Sequence, residues 1–488
     1  MLAEELLFSK GYDFQDKMYD EVFENPERLR NYYFKLYQEL KHLSIQEFEQ
    51  LNENAKLSFL TQGVTYAVYS GDNSSTERIF PFDLFPRIIP NHEWKVMEAG
   101  LLQRNRAINE FVKDIYGDQK VLKDKVVPRE LVMSSPHYCQ MMAEIKPAGG
   151  IYTHVCGTDI IRHNDGNYYV LEDNLRCPSG VSYVLANRVA LQRTFPTIFK
   201  RVQVSPVMEY PSALLETMNS LVPDDLEDPV CVVLTPGIYN SAYYEHSFLA
   251  QSMGVELVEG GDLHVENDKV YMRTIYGPKK VDVIYRRLDD DFLDPEVFKP
   301  DSILGIRGLM RAYQKGNVSI INAPGTGISD DKAIYNYVPD IIKYYLQEDP
   351  ILFNVPTYLC ENSKEMKYVL DHIPELVVKP VDMSGGYGVM VGNRLSKKEI
   401  DDLKGKIKQN PRDFIAQPIM SLSTHSTYIE NEKVIEPRHI DLRTFTLMGK
   451  DYNFVLKGGL TRVALTRGSL IVNSSQGGGA KDTWVLEN

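Results

Sequence analysis

The sequence predicts a mixed α/β protein, and three observations support this fold class. From Val230 onward, short apolar strands alternate with helical segments, which is the pattern of a small parallel sheet. Residues 157–174 have the alternation and the central turn of an acidic β-hairpin. Near the C-terminus, an apolar strand ending in Lys379 is followed by the glycine-rich residues 384–388. These patterns indicate that several α/β units follow one another along the chain.

Length and composition narrow the class of protein further. The 488 residues suggest two to four domains. A net charge of −13 argues against a nucleic-acid partner, because phosphate binding needs clustered Lys and Arg. No apolar run is long enough to span a membrane, and the acidic N-terminus lacks the basic region of a secretory signal. The five cysteines show no CxxC spacing, so we expect reduced thiols and a cytoplasmic protein.

The N-terminal region, residues 1–60, is helical in pattern. Residues 1–60 are charged, and residues 28–43 have the apolar spacing of an amphipathic helix. Three prolines in residues 76–95 favour an extended connector, after which residues 94–115 are predicted to be helical. The acidic, proline-bounded segment 222–229 is the predicted linker to the small parallel sheet.

The parallel sheet is predicted from strands at 231–235, 255–258 and 281–285, with a helix at 248–253. Ligands of such sheets bind outside the carboxyl ends of the strands. This directs attention to residues 235–246 and to Arg286 and Arg287.

The acidic hairpin contains a candidate metal site. A two-residue turn at Asp165-Gly166 pairs Asn164 with Asn167 and, further out, Asp159 with Glu172. Glu172 and Asn174 then share one face. Opposed carboxylates repel each other, and a divalent cation that prefers oxygen ligands, such as Mg²⁺, would remove that repulsion. A solvent-exposed hairpin with acidic residues facing water is the alternative interpretation.

The glycine-rich segment is a candidate phosphate-binding loop. Glycines allow backbone N–H groups to approach phosphates, and Lys379 would bring its ammonium near them. The segment fits neither the GxxxxGK[ST] nor the GxGxxG nucleotide motif. An ordinary β-turn is equally consistent with these residues.

The order of these motifs resembles one known family. The landmarks run from the metal hairpin (Asp159, Glu172, Asn174) through Lys332, Lys379, the glycine loop, Gln417 and Arg443 to Asn473. In ordinary ATP-grasp ligases the metal hairpin comes last, whereas here it comes first. The chain therefore resembles the circularly permuted ATP-grasp family, type 2, which includes relatives of glutathionylspermidine synthase.

The resemblance implies a set of roles. Asp159, Glu172 and Asn174 correspond to the magnesium ligands, and Arg443, Lys379 and Asp441 to catalytic residues. The residues implied to bind ATP are Lys332, Lys379, Ser384, Gly385, Gly386, Gly388, Gln417, Ile419 and Asn473. Three alternatives stay open: Lys332 as an exposed helix lysine, residues 414–419 as a plain edge strand, and Asp441 as the ion-pair partner of an arginine.

The implied fold is a circularly permuted ATP-grasp fold with an inserted small parallel α/β substrate domain and a helical N-terminal region. The predicted divisions are a helical region at 1–60, a metal-hairpin part at 61–222, a substrate domain at 228–325 and a nucleotide-binding part at 326–488. The permutation predicts that a strand near residues 463–473 lies beside the 159–172 hairpin in one sheet.

Candidate substrate residues follow from position and resemblance. They are Ser179, Ser182, Arg286, Arg287, Glu245 and His246, each of which also has a structural interpretation; Ser179, for example, fits a helix N-cap.

The resemblance implies an ATP- and Mg-dependent ligase that joins a small-molecule carboxylate to an amine through an acyl phosphate. The alternatives are another ATP-dependent phosphotransferase on the same fold and a non-catalytic nucleotide-binding module.

Overall fold

The structure is a computed structural model that describes residues 7, 12–69, 75–223, 225–382, 388–473 and 477–487. Helices and strands are mixed along the chain, as predicted. The α-helices of the described residues are Phe34–Leu40, Ile45–Thr61, Asn91–Ile115, Lys120–Lys123, Arg129–Met133, Val181–Thr194, Pro196–Val202, Tyr210–Asn219, Tyr243–Met253, Leu309–Gln314, Lys332–Tyr335, Val338–Leu346, Ser363–His372 and Lys397–Gln409.

The main sheet has nine strands within the described part of the chain. Seven strands form one line, in the spatial order Phe353–Asn354, Tyr168–Asn174, Val155–Arg162, Val434–Met448, Leu460–Val463, Gly479–Val485 and Phe82–Ile89. Thr424–Ile429 and Asn453–Val455 pair with Val434–Met448 outside this line.

The arrangement of the main sheet agrees with the permutation. The strand was predicted near residues 463–473, whereas the observed strand is Leu460–Val463, and it shares the sheet with the hairpin. It is not the hairpin's direct neighbour, because Val434–Met448 lies between them. One sheet is therefore built from segments that are far apart in the chain.

The hairpin of Val155–Arg162 and Tyr168–Asn174 pairs Asp159 with Glu172, as predicted. The predicted two-residue turn is wrong. Residues 163–167 connect the strands, and of these only Gly166 has a positive φ, of 81°. A type I′ turn would need positive φ at two adjacent positions.

Two differences from the predicted register cancel each other. The predicted pair of Asn164 and Asn167 is replaced by a bond from the His163 N–H to the Asn167 carbonyl. Arg162 then faces Tyr168, which is one residue out of the predicted register. A β-bulge between Asp159 and Ile160 adds one residue on the opposite strand and restores the predicted pairing.

Two four-stranded sheets flank the main sheet. The parallel sheet has the order Ser319–Ile321, Val283–Arg286, Cys231–Leu234 and Glu256–Val258, which adds one strand to the three that were predicted. The second, here called the flap sheet, is antiparallel, with the order Tyr358–Leu359, Phe414–Pro418, Leu376–Pro380 and Met390–Val391. A three-stranded meander, Leu263–Glu266, Lys269–Thr274 and Gly277–Lys280, extends from the parallel sheet region.

The N-terminal region is less helical than predicted. The helix expected at 28–43 covers only Phe34–Leu40, because Arg28–Leu29 pairs with the strand Phe23–Asn25. The Asp20 carboxylate stabilises the bend that leads into the strand Phe23–Asn25, because it accepts hydrogen bonds from the N–H groups of residues 22 and 23. The connector at 76–95 is extended as predicted: it contains Ser75–Ile79 and Phe82–Ile89, and the following helix begins at residue 91.

The long helix Asn91–Ile115 packs under the centre of the main sheet. Its Trp94 and Leu101 join Ile160 and Leu442 in one buried cluster. Because side chains alternate along a strand, the neighbouring residues of the same strands face the opposite side. No helix within the described residues is long and apolar enough to cross a membrane.

Candidate functional site

A cleft lies between the charged face of the main sheet and the flap sheet. Its cavity volume is about 160 Å³. Its lining includes Asp159, Ile161, Leu171, Glu172, Lys332, Val377, Lys379, Gln417, Pro418, Met420, Leu422, Asp441, Arg462, Ile471, Val472 and Asn473. Apolar and charged side chains thus share one space, as a ligand with an aromatic ring and phosphates would require.

Three charged side chains form a row across neighbouring strands of the cleft floor. Asp159 pairs with Glu172 on one side and with Arg443 on the other. Arg443 binds both carboxylate oxygens of Asp159, with Nε–Oδ1 at 2.6 Å and Nη2–Oδ2 at 2.8 Å. Such a bidentate pair fixes the guanidinium in one orientation.

A second row lies two residues further along Val434–Met448 and continues into Leu460–Val463. Arg462 faces Asp441 in the strand register, and its Nε donates to Oδ1 of Asp441 at 2.8 Å. Arg462 also donates to Oδ2 of Asp159 at 2.8 Å, which joins the two rows. Asp441 therefore forms the ion pair with an arginine that was the alternative interpretation of this residue.

The two arginines determine the charge state of Asp159, which is 1% exposed. Burial raises its pKa, but the adjacent Arg443 and Arg462 outweigh burial and hold the pKa below its usual range. The repulsion that the sequence predicts between Asp159 and Glu172 is therefore offset by arginines in this structure.

Lys332 and Lys379 line the cleft, and Arg443 contacts two of its lining residues, Asp159 and Glu172. Glu172 lies between Lys332, whose Nζ is 3.7 Å from Oε2, and Arg443, whose Nη2 is 3.9 Å from Oε1. Lys379 donates its Nζ to Oε1 of Gln417 at 2.7 Å. Burial, with a smaller contribution from the nearby Lys332, lowers the pKa of Lys379 to about 8. An anionic ligand would favour the charged form of this lysine.

The predicted magnesium ligands differ in what they offer an ion. Both oxygens of Asp159 are bound to arginines, whereas the Glu172 carboxylate lines the cleft. Asn174 donates its amide nitrogen to the Gly157 carbonyl at 3.2 Å, so its oxygen is the atom that would face an ion. Within the described part of the chain, no group of three or more His, Cys, Asp or Glu side chains is placed to hold a metal. Mg²⁺ prefers oxygen ligands, so the predicted set of two carboxylates and one amide stays a prediction.

The predicted adenine-binding strand is Phe414–Pro418, which belongs to the flap sheet. Gln417 is buried and bridges Lys379 to Thr357 through its amide group. The Ile419 N–H donates to the Glu375 carbonyl at 3.2 Å, so the Ile419 carbonyl is the backbone group left for a ligand.

The remaining predicted nucleotide residues are partly outside the described chain. Asn473 lines the cleft. Ser384, Gly385 and Gly386 lie outside the described residues, and the neighbouring Gly388 has a φ of 72°, which favours glycine.

Four of the predicted substrate residues form one buried cluster beside the cleft. Oε2 of Glu245 accepts the N–H groups of Gly180 and Ser182 and the Ser182 hydroxyl, at 2.7 to 3.1 Å. Its Oε1 accepts from Arg287 at 3.1 Å. Arg287 also donates to the Ser179 hydroxyl at 2.5 Å. The N-cap of the helix Val181–Thr194 is Gly180, and a carboxylate from another helix neutralises this helix terminus.

Arg286 and His246 occupy different surroundings. Arg286 is fully buried and donates to backbone carbonyls, including those of Asn322 and Leu288 at 2.7 Å each. His246 shares a hydrogen bond of 2.9 Å with Thr235 through Nδ1, and burial lowers its pKa to about 2. His246, Ser179 and Arg287 line a second pocket at the carboxyl ends of the parallel strands, together with Cys177, Pro236, Asn240, Ser241, Ala242, Leu288, Asp289, Phe292 and Leu304.

Ser179 links an arginine beside the cleft to one in the second pocket. Its carbonyl accepts from Nη1 of Arg443 at 3.4 Å, and Arg443 binds Asp159 of the cleft. Its hydroxyl accepts from Arg287 in the second pocket.

Sequence reasoning did not include Arg462 among the site residues. Its contact with Asp159 depends on the register of three strands that are distant in the chain. The observable signal was the alternation of Thr461, Arg462 and Val463, which places an arginine on the face of a buried strand.

Comparison with known proteins identifies the class. Residues 86–464 match the model of the family described as circularly permuted ATP-grasp type 2. The chain belongs to this family, as predicted. Members of the ATP-grasp class use ATP and a divalent metal ion.

Individual relatives cover nearly the whole chain. An uncharacterized protein of Synechocystis is 52% identical over 98% of this chain and 98% of its own length. A second, of Mycobacterium tuberculosis, is 48% identical over 98% of this chain and 86% of its own length. A Frankia casuarinae protein named "Putative glutamate--cysteine ligase 2-2" is 39% identical over 97% of this chain, which corresponds to only 54% of that protein.

A solved structure supports the fold alone. The glutathione synthetase-like effector of Globodera pallida, in its apo form, superposes with a TM-score of 0.60 at 11% identity. The match covers 91% of this chain and 98% of the other. The chain is therefore similar to this effector in architecture.

Proposed function

We propose that this protein is an ATP- and Mg-dependent carboxylate–amine ligase. The observation that carries the proposal is that Lys332, Lys379 and Arg462 line one cleft together with Glu172 and Asp159. Arg443 contacts both of these carboxylates. Basic side chains grouped in this way can bind an anionic ligand. Family membership supports ATP as that ligand.

Each group has a chemical task in this proposal. Lys332 and Lys379 bind the phosphates, while Arg443 offsets the charge that develops on the transferred phosphoryl group. Glu172, Asn174 and Asp159 hold the magnesium ion, which when bound neutralises phosphate charge. Asp441 binds Arg462 and keeps its guanidinium directed at Asp159.

The proposed reaction needs no protein nucleophile. The γ-phosphoryl group moves from ATP to a carboxylate oxygen of the acid, and ADP leaves. The amine nitrogen then attacks the acyl carbon, phosphate leaves with the former carboxylate oxygen, and the nitrogen loses a proton. We place a substrate in the second pocket because Ser179, which lines it, also accepts a hydrogen bond from Arg443.

The relatives suggest where a substrate search begins. The Frankia protein is named for glutamate and cysteine, but this chain corresponds to only about half of it. We therefore propose small acids and amines of the amino-acid or peptide class, and L-glutamate with L-cysteine is the first pair to test.

The test is ADP release with ATP, Mg²⁺ and a matrix of acids and amines, using Lys379→Ala as the inactive control. We expect release that depends on both substrates. With an acid labelled with ¹⁸O in its carboxylate, one labelled oxygen is expected in the released phosphate. ADP release with a stable phosphorylated product and no amide would instead favour the phosphotransferase alternative. Nucleotide binding without ADP release would favour the non-catalytic module.

A further inference from the structure

The second pocket lies at the N-terminus of the helix Tyr243–Met253. Ser241 and Ala242, which precede the helix, both line the pocket. The N-cap residue is Ala242, which has no side-chain oxygen to accept the first N–H groups of the helix. These groups have no partner within a helix, and the helix dipole places partial positive charge on them. An anion in the pocket would satisfy this helix end.

A buried arginine in the same pocket has an N–H group without an acceptor. Arg287 lines the pocket, and its Nη1 donates to the Pro178 carbonyl and the Tyr285 hydroxyl. Its Nη2 donates to the Ser179 hydroxyl and to the Glu245 carboxylate. The fifth donor, Nε, is buried and has no partner among the described residues. A buried donor without an acceptor indicates that a ligand or water belongs there.

His246 offers this pocket a neutral donor. Its Nδ1 lies 2.9 Å from the Thr235 hydroxyl, which accepts the Gly237 N–H. Within the described residues, Nδ1 is the acceptor for the proton of this hydroxyl, so the ring hydrogen of His246 is on Nε2. Burial and the nearby Arg287 lower the pKa of His246 to about 2, so the ring stays neutral. Nε2 of His246, which lines the pocket, is therefore an N–H donor.

The carboxylates around the pocket do not cancel its positive character. Glu245 binds Arg287, but the same carboxylate also accepts the first N–H groups of the helix Val181–Thr194. One negative charge is thus shared between a guanidinium and a second helix N-terminus. Asp289 also lines the pocket, but it is ion-paired with Arg176 at 3.3 Å. The donors that remain favour a small anion.

We propose that the second pocket binds a carboxylate that does not react, so that the acid substrate of this protein is a dicarboxylic acid. The bound carboxylate accepts hydrogen bonds from the N-terminus of Tyr243–Met253, from Nε2 of His246 and from Arg287. This inference rests on the proposed ligase function and specifies the class of its acid. The other carboxylate of the same molecule receives the γ-phosphoryl group of ATP, and ADP leaves.

Ser179 separates the two ends of the acid in this proposal. Its hydroxyl accepts from Arg287, and its carbonyl accepts from Arg443, the residue proposed to act on the phosphoryl group. The unreactive carboxylate lies on the Arg287 side of Ser179 and the reacting carboxylate on the Arg443 side. A monocarboxylic acid would leave the second pocket without its anion.

The main test adds a negative charge to the pocket. Ser241 is exposed, so substitution leaves the core intact. Ser241→Glu places a carboxylate at the helix N-terminus, and Ser241→Gln is the matched control of the same size without the charge. Calorimetric titration of the full chain compares succinate, glutarate and adipate with their monoamides. We expect at least one dicarboxylate to bind tenfold more tightly than its monoamide in the unsubstituted protein and in Ser241→Gln, and Ser241→Glu to lose this preference.

A second set of variants tests the proposed donor of His246. His246→Leu removes both ring nitrogens and should weaken dicarboxylate binding at least tenfold. His246→Gln restores an N–H group near the position of Nε2 and should recover part of the affinity. His92→Leu, at an exposed position on another helix, is the control and should bind as the unsubstituted protein does. If His246→Leu does not fold, the two Ser241 variants decide the question.

Binding and turnover are measured separately, so that the inference and the ligase function fail separately. ADP release with ATP, Mg²⁺ and an amine is compared for each dicarboxylate and its monoamide. Equal kcat/KM for both acids would support the ligase function and overturn the inference. Dicarboxylate binding that only Ser241→Glu abolishes, without ADP release, would support the carboxylate site and contradict the ligase function. Equal affinity for dicarboxylates and monoamides, no binding of any of the three dicarboxylates, or equal affinity in the two Ser241 variants would overturn the inference.

Discussion

Arg443 binds both carboxylate oxygens of Asp159 from the adjacent strand, at 2.6 and 2.8 Å. The residue proposed to stabilise the transferred phosphoryl group thus neutralises a proposed magnesium ligand. In the proposed function, Asp159 would help to hold the magnesium ion and Arg443 would offset the charge of the phosphoryl group. The ion pair keeps two buried charges satisfied until both ligands are present.

Asp159 and Glu172 should differ in their effect on stability. Asp159→Asn removes the charge that Arg443 and Arg462 share, and the loss of one partner of a buried ion pair costs about 3–5 kcal/mol. Glu172 makes only long contacts, at 3.7 and 3.9 Å, so Glu172→Gln should change stability by less than about 1 kcal/mol.

Both substitutions should abolish turnover. Thermal unfolding and ADP release, measured on both variants, check this prediction. Equal losses of stability in the two variants would contradict the prediction that Asp159, and not Glu172, stabilises the fold through its ion pairs.

The hairpin illustrates how far the sequence determines the site. Alternation and the turn signal placed Asp159 opposite Glu172, and the structure has that pair. The turn was predicted too short, and a bulge that leaves no sequence signal compensated for the error. The pairing with Arg462 was missed because it depends on long-range strand order, which periodicity does not encode.

ATP binding should weaken as pH rises above about 8. Burial lowers the pKa of Lys379 to about 8, so in the free protein this lysine loses its charge near that pH. A phosphate ligand favours the ammonium form, so each further pH unit should reduce affinity by up to about tenfold.

The low pKa of Lys379 also determines whether stability rises or falls with pH. Between pH 8 and the ordinary lysine value of about 10.5, the unfolded chain binds more protons than the folded chain at this site, so its contribution to stability rises with pH. Lys379→Arg stays charged and should keep a flat ATP affinity over this range. Titrations of ATP at pH 7 to 10 check the difference, and an identical pH slope in both proteins would assign the effect to another group.

Arg443→Ala should reduce the rate of phosphoryl transfer more than it weakens ATP binding. Loss of one donor to a developing negative charge typically costs 10²–10³ in kcat, or about 2.7–4 kcal/mol. Arg443→Lys should recover part of the rate, because it restores charge without the bidentate geometry.

The matched control for Arg443 is Arg467→Ala. Arg467 is 68% exposed and forms a surface ion pair with Asp13, so its loss should leave kcat unchanged. Single-turnover measurements separate the chemical step from binding. A rise in the Kd for ATP with an unchanged rate of transfer would instead make Arg443 a binding residue.

Glu245 should act as a positioning residue for Ser179 and the residues that follow it. Glu245→Gln leaves the buried Arg287 charge unbalanced and weakens the bonds to Gly180 and Ser182. We expect a lower unfolding midpoint and a lower kcat, because Ser179, which contacts both Arg287 and Arg443, would lose its fixed position. Glu296→Gln, at an exposed ion pair with Arg311, is the control and should change neither. The decisive measurement is the kcat and KM of each substrate below the unfolding midpoint. A structural role alone would leave kcat unchanged there, and a direct contact with substrate would raise one KM at constant kcat.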